Sequence, residues 1–129
     1  MKRIVVSIQN GLLAEAITTM LRDSGEFEPF RVPVGNKKSD IGENCEMFSA
    51  EILIAEVSYA AGTTVDVRLK EAKEIRERVP ACKIVLLCDE NSAPDIAREV
   101  TLAKKDRLID SFFYSSVTAK YLLAALISL

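Results

Sequence analysis

The sequence predicts a single α/β domain in which a doubly wound, five-stranded parallel sheet is covered by helices on both faces. Five short apolar runs alternate with five segments of helical periodicity, and this alternation implies parallel strands joined by crossover helices. The run at residues 51–57 is almost continuously apolar, which is typical of a central strand buried on both faces. With 129 residues, 49% hydrophobic and 28% charged, the chain fits one domain spanning residues 1–129.

The predicted strands are runs of β-branched, apolar or aromatic residues bounded by turn residues. The second run is interrupted by Pro33, which suits an edge strand because proline lacks the N–H that a further neighbour would require. The third run carries Glu56 near its end, so a carboxylate is expected at the carboxyl edge of the sheet. We predict strands at residues 4–8, 30–34, 51–57, 83–88 and 111–114.

The predicted helices have apolar residues at helical spacing and are bounded by residues that commonly begin or end helices. Gly25 can take the left-handed conformation that ends the first helix, and Pro94 suits the first turn of the fourth. Either Ser116 or Thr118 caps the last helix, and the second helix is the least amphipathic. We predict helices at residues 12–21, 40–48, 65–78, 93–105 and 118–127.

The third helix has an apolar stripe and a strongly charged remainder. Its inward-facing residues are predicted to be Val65, Leu69, Ala72 and Ile75. Residues 68–78 mix arginine, lysine and glutamate at helical spacing, which predicts a solvated face with ion pairs four residues apart and no functional role.

Charge and hydropathy exclude two classes of partner. Seventeen basic and nineteen acidic residues give a formal charge of -2, so we expect no direct contact with nucleic acid. No apolar run reaches the roughly eighteen residues that span a bilayer, and the first residues lead directly into a strand instead of a signal-peptide core. We therefore expect a cytoplasmic protein with no membrane contact.

The sequence contains no histidine, which removes the usual general base and the commonest metal ligand. This excludes most familiar hydrolase and metalloenzyme mechanisms. We expect no enzymatic activity, no metal and no cofactor. Three cysteines, Cys45, Cys82 and Cys88, form no CxxC pair and are predicted to be free thiols. Cys82 and Cys88 would lie at opposite ends of one strand, roughly 20 Å apart at about 3.3 Å per residue, too far to bridge.

The order of elements and the local sequences together resemble the receiver domain of two-component response regulators, the CheY-like family. The similar segments are residues 3–6 with Leu12-Leu13, and residues 51–56, 84–88, 109–113 and 120–126. The resemblance covers nearly the whole chain and implies a flavodoxin-like fold with strand order 2-1-3-4-5. It also implies a signalling role, which the family performs through a phosphorylated aspartate beside a Mg²⁺ ion.

The residues that would hold the metal and the phosphoryl group differ from the family's pattern. The two acids after the first strand correspond to Ile8 and Gln9, or to Gln9 and Asn10 after a shift by one residue, and none of these can carry a negative charge. The phosphoacceptor aspartate corresponds to Glu56, whose carboxylate reaches about one methylene further out.

The residues that respond to the phosphoryl group also differ. The fourth-strand hydroxyl corresponds to Cys88, a poor hydrogen-bond donor, and the fifth-strand lysine corresponds to Ser115. Phe112 occupies the aromatic switch position. Because each change removes a different part of the site, we expect a degenerate pseudo-receiver that acts by protein contact, either with a partner or with an attached output domain.

Several interpretations stay open at this point. Glu56 either mimics an activated acceptor or is a solvated acid at a strand end, and Cys88 is either a redox-sensing thiol or, as we favour, a small core residue. Lys104, Lys105 and Tyr114 are candidates for an interface, including a homodimer through the last two βα units. The alternative function is a small flavodoxin-like enzyme, or a cofactor- or nucleotide-binding protein, that uses the carboxyl edge.

Overall fold

The computed structural model describes residues 1–34, 40–88 and 94–129, and within them five strands alternate with five helices. The strands are β1 (Lys2–Ser7), β2 (Phe27–Arg31), β3 (Ile52–Val57), β4 (Lys83–Cys88) and β5 (Ser111–Tyr114). The helices are α1 (Gly11–Asp23), α2 (Ile41–Met47), α3 (Val65–Arg78), α4 (Pro94–Lys105) and α5 (Ala119–Ile127). Residues 35–39 and 89–93 lie outside the described residues, so the predicted start of the fourth helix at residue 93 does as well.

The strands form one parallel sheet in the order β2-β1-β3-β4-β5, which confirms the predicted topology. In the register of the sheet, Ser7 lies opposite Ala55, and Glu56 lies opposite Leu87. The carboxyl ends of β1, β3 and β4 therefore meet at one edge. The order reverses between β1 and β3, which is where sheets of this type bind ligands.

Each face of the sheet carries its own hydrophobic core, because successive strand residues point to opposite faces. On β3, Ile52 and Ile54 pack in the cluster that contains residues of α1 and α5. Leu53, Ala55 and Val57 pack in the cluster that contains residues of α2, α3 and α4. Glu56 falls on the α1 and α5 side by the same alternation, which sets the direction of its side chain.

Capping side chains fix where the helices begin. At the start of α1, Asn10 accepts a hydrogen bond from the backbone N–H of Leu13, and at the start of α2, Asp40 accepts one from Glu43. In the same way Thr64 accepts from Val67 at the start of α3, and Thr118 accepts from Tyr121 at the start of α5. Of the two candidates for the cap of α5, the structure thus selects Thr118. Gly25 has φ of 71°, the left-handed conformation predicted for the residue that ends the first helix.

The predicted position of the second strand was wrong. The strand runs over Phe27–Arg31 and not over residues 30–34, and Pro29, not Pro33, lies within it. Its edge position was correct, because β2 pairs with β1 alone. The shift by three residues buries Phe27 in the core at 1% exposure, while Phe30 stacks on Phe48 with ring centroids 4.1 Å apart.

Among the described residues, no helix combines the length and the apolar character needed to cross a bilayer.

Candidate functional site

The candidate site is a recess at the carboxyl edge of the sheet, beside the ends of β3 and β4. Its volume is about 170 Å³. It is lined by Asn10, Leu13, Glu56, Val57, Ser58, Leu87 and Ser115. The structure thus brings together Glu56 and Ser115, two of the residues that the sequence placed in a degenerate phosphorylation site.

Glu56 supplies a half-buried carboxylate to this recess. Its Oε1 atom accepts a hydrogen bond of 3.0 Å from the backbone N–H of Gln9, just after β1. Within the described residues, no lysine or arginine lies within 4.0 Å of this carboxylate. The main chain therefore holds one oxygen of this carboxylate in place.

Arg68, on α3, lies under the same edge from the other face of the sheet. The residue is only 3% exposed. Its guanidinium donates hydrogen bonds from Nε to the Glu56 carbonyl (2.7 Å), from Nη1 to Ser7 Oγ (2.9 Å) and Glu71 Oε1 (3.1 Å), and from Nη2 to the Ser7 carbonyl (2.9 Å). One side chain therefore joins the carboxyl ends of β1 and β3 to α3.

Burial is the largest influence on the pKa values of Arg68 and of its neighbour Glu71. Burial lowers the pKa of the Arg68 guanidinium, while Glu71 and then Glu56 oppose that change. Burial also raises the pKa of the Glu71 carboxyl, and Arg68 opposes that change in turn. An arginine has a pKa high enough to stay protonated in such a site, so a fixed positive charge lies beneath the carboxyl edge.

The structure corrects the prediction that residues 68–78 form only a solvated face. The buried residues of α3 are Val65, Arg68, Ala72 and Ile75. Their spacing of three, four and three residues is that of a helix stripe, so periodicity alone could have placed Arg68 on the buried side. Leu69, which was predicted to face inward, is partly buried against the same core.

The residues at this edge do not fit a Mg²⁺ ion. Ile8 is 5% exposed and packs in the core beside α1, and the Ser7 hydroxyl and carbonyl both accept hydrogen bonds from Arg68. Mg²⁺ prefers several oxygen ligands that include carboxylates, whereas the described lining of this recess includes one carboxylate, with a guanidinium nearby. The part of the chain that the structure describes contains no cluster of three His, Cys, Asp or Glu side chains that could hold a metal.

Cys88 and Phe112 lie away from the recess. Both pack in the core between the sheet and helices α2–α4, whereas Leu87, one residue earlier, lines the recess. Cys88 is 1% exposed, and burial raises the pKa of its thiol to about 11. Its backbone carbonyl accepts a hydrogen bond from Ser115 N–H at 2.7 Å, so Cys88 contacts the fifth-strand position through the main chain.

The candidate interface residues partly come together at the β5 edge of the sheet. Lys104 Nζ lies 5.8 Å from the centroid of the Phe112 ring, and Phe112 meets Tyr114 edge to face at 5.9 Å. Tyr114 is exposed, as is Lys105. Lys104 and the two aromatic rings form a small basic and aromatic surface at the end of α4, and Lys105 is the next residue of that helix.

No family model matches this chain, and no curated protein matches it. Solved structures do match. A LuxR-family DNA-binding response regulator from Staphylococcus aureus matches with a TM-score of 0.75 and 15% identity, over 99% of this chain and 98% of that one. The signal receiver domain of the putative response regulator NarL from Mycobacterium tuberculosis matches with a TM-score of 0.74 and 13% identity, over 98% of this chain and 94% of that one. Chemotaxis protein CheY4 from Vibrio cholerae matches with a TM-score of 0.68 and 14% identity, over 98% of this chain and 97% of that one. The chain has the receiver-domain fold.

Proposed function

We propose that this receiver-fold chain is a non-enzymatic signalling module that acts by contact, with a protein partner or with an output domain attached to it. It works without a phosphorylation cycle, and its proposed location is cytoplasmic. The observation that carries this proposal is the carboxyl edge itself. Among the residues that the structure describes, Glu56 is the one carboxylate that lines the recess, whereas a metal and a phosphoryl group would require several charged side chains, and the buried guanidinium of Arg68 already bonds both strand ends.

The arrangement supports a domain held in one signalling state. A carboxylate fixed by the Gln9 N–H places a permanent negative charge in the recess. Arg68 joins the ends of β1 and β3, and Ser115 provides a hydroxyl where the family has a cation. Because both charges are covalently part of the chain, no ligand is needed to maintain them, and Glu56 acts as a fixed stand-in for an activated acceptor.

Phosphorylation by a small-molecule donor tests the proposal. After incubation with acetyl phosphate and Mg²⁺, intact-mass measurement is expected to show no added phosphoryl group. Glu56→Asp is also expected to stay unmodified, because restoring the acceptor supplies neither the metal ligands nor the cation that the transfer requires. A response-regulator receiver treated in parallel confirms that the donor is active. Stable incorporation at Glu56 would contradict the proposal.

The alternative, a small enzyme or cofactor binder, would use the same recess. At about 170 Å³ the recess is smaller than the roughly 300–1,000 Å³ of typical ligand pockets. A rise of several degrees in melting temperature with a flavin or a nucleotide would favour the alternative, because a ligand that binds only the folded state stabilises it.

We also propose that the basic and aromatic surface of Lys104, Lys105, Phe112 and Tyr114 mediates self-association through the last two βα units. Aromatic side chains are enriched at interfaces, and β5 is an edge strand with a free side. Sedimentation of the wild type is expected to show a concentration-dependent dimer, and the triple variant Lys104→Glu, Lys105→Glu, Tyr114→Ala is expected to remain monomeric. An unchanged dimer in the triple variant would contradict this proposal.

A further inference from the structure

A continuous groove runs between α3 and α4 on the surface of the domain. It consists of two adjoining hollows of about 120 and 200 Å³, which share lining residues from both helices, including Val65 and Glu99. The apolar floor is formed by Val65, Leu69, Ile96 and Ala103. These side chains belong to the core or pack against it, so the floor is a fixed part of the fold.

Exposed leucines extend this floor towards solvent. Leu102 is 52% exposed and Leu108 is 46% exposed, and both line the larger hollow. Burying an exposed leucine side chain is favourable because it removes apolar surface from water. Two half-exposed leucines beside a preformed apolar floor are therefore a source of binding free energy for a partner that covers them.

The rim of the groove is acidic. The two hollows are lined by four acids, Asp66, Asp95, Glu99 and Asp106, and by none of the lysines or arginines in the described ranges. In the part of the chain that the structure describes, none of these four acids has a basic side chain within 4.0 Å. Four of the lining residues are spaced four, three and four residues apart, which places them on one stripe of α4 and just beyond its end: Asp95, Glu99, Leu102 and Asp106.

We propose that this groove binds a basic amphipathic helix of a partner protein. The inference rests on the proposed function, since it names the surface through which a contact-dependent module would act. Apolar residues of the partner helix would cover Leu102, Leu108 and the floor, while its lysines and arginines would meet the four acids. From Asp95 to Asp106 the stripe extends about 16 Å at 1.5 Å per residue, the length of three helical turns.

The charge complementarity determines the kind of partner. Unpaired acids around an apolar groove attract a cationic partner and repel an anionic one, and a nucleic acid is therefore unsuited to this surface. The β5 surface with Lys104 and Lys105 has the opposite charge, so the two surfaces of α4 would select different partners.

A synthetic helix tests the groove directly. The probe is a peptide of about fourteen residues, long enough to span the stripe, with leucines at three- and four-residue spacing and lysines elsewhere. The matched peptide carries glutamate at every lysine position. In ¹H–¹⁵N correlation spectra, the basic peptide is expected to shift the amide signals of Asp66, Leu69, Glu99 and Leu102 in a saturable manner. The acidic peptide is expected to leave them unchanged.

Charge-reversal variants locate the site. Glu99→Lys with Asp106→Lys is expected to weaken binding of the basic peptide by about tenfold or more, because it turns two attractions into repulsions. The matched control, Glu15→Lys with Glu26→Lys, reverses two exposed acids outside the groove and is expected to change the affinity less than about twofold. Should the first variant fail to fold, Leu102→Ala replaces it, with Leu12→Ala, an 83% exposed leucine on α1, as its control.

Three results would overturn the groove proposal: no saturable shift with the basic peptide, equal binding of the acidic peptide, or equal weakening by the charge-reversal variant and its control. These results leave the proposed function unaffected, because that proposal is tested by uptake of a phosphoryl group. Conversely, a chain that becomes phosphorylated at Glu56 contradicts the proposed function whatever the peptide does.

Discussion

Replacing Arg68 with alanine is expected to lower the free energy of unfolding by about 3–5 kcal/mol. The variant loses four hydrogen bonds and leaves the carbonyls of Ser7 and Glu56 without their donor in a site that water barely reaches. It also leaves Glu71 beside the site without its cation. Urea denaturation followed by circular dichroism measures the change.

Arg78→Ala is the matched control for this experiment. Arg78 lies on the same helix, but its side chain is 38% exposed, and its ion pairs with Glu46 and Glu74 are solvated, so the expected loss is below about 1 kcal/mol. The loss of unfolding free energy in Arg68→Lys is expected to lie between those of the two alanine variants, since an ammonium keeps the charge but cannot reproduce the planar set of donors. If Arg68→Ala and Arg78→Ala unfold at the same urea concentration, Arg68 does not hold the strand ends together.

Cys88 is expected to react with iodoacetamide at least about 100-fold more slowly in the folded chain than in urea at about pH 8. The reactive species is the thiolate, and burial raises the pKa of this thiol from 9.0 to about 11. The folded state therefore holds the proton more tightly. The associated stability is present below pH 9.0 and is lost as the pH rises through about 11.

Tryptic fragments read out this reaction site by site. The fragment of residues 84–98 contains Cys88 as its only cysteine, and the fragment of residues 79–83 contains only Cys82. The chain unfolded in urea, in which all three cysteines are accessible, is the control. Rapid alkylation of Cys88 in the folded chain at neutral pH would contradict the core assignment and favour a redox-sensing thiol.

Most of the fold could be predicted from the sequence because its strongest signals are local. The apolar runs of β3 and β4 and the periodic helices have few competing structures, and their predicted positions agree with the structure to within a residue or two. The β2 strand was misplaced because its position depends on pairing with β1. Pairing with β1 places Phe27 in the core, whereas the local sequence around Val32 is as typical of a strand as the sequence around Phe27.

The site was predicted less completely than the fold. The position of Glu56 at a strand end identified it from the sequence, and the resemblance to receivers identified Ser115; both residues line the recess. The sequence did not identify Arg68, because charged residues in helices are usually solvated. The burial of Arg68 depends on four acceptors, the Ser7 hydroxyl, the Ser7 carbonyl, the Glu56 carbonyl and the Glu71 carboxylate, two of which belong to the main chain.

Arg68 and Glu56 are two charged residues fixed at the carboxyl edge of the sheet. In a phosphorylated receiver, a divalent cation and a phosphoryl group arrive at the carboxyl edge and leave again. Here a guanidinium is built into the fold beneath that edge, and a carboxylate is fixed in the recess above it. In the proposed function the charges of this site need neither a metal nor a phosphoryl donor, and regulation comes from the concentration or affinity of a partner.

The most direct test of this claim is a ¹H–¹⁵N titration of the wild-type chain with Mg²⁺, first alone and then with beryllofluoride, which mimics a phosphoryl group on a carboxylate. The amide signals of Gln9, Glu56 and Ser115 report on the recess, and NaCl at matched ionic strength corrects for screening. These amide signals are expected to show no shifts beyond those caused by NaCl. Saturable shifts of these three signals, with Mg²⁺ or with both ligands, would contradict this claim.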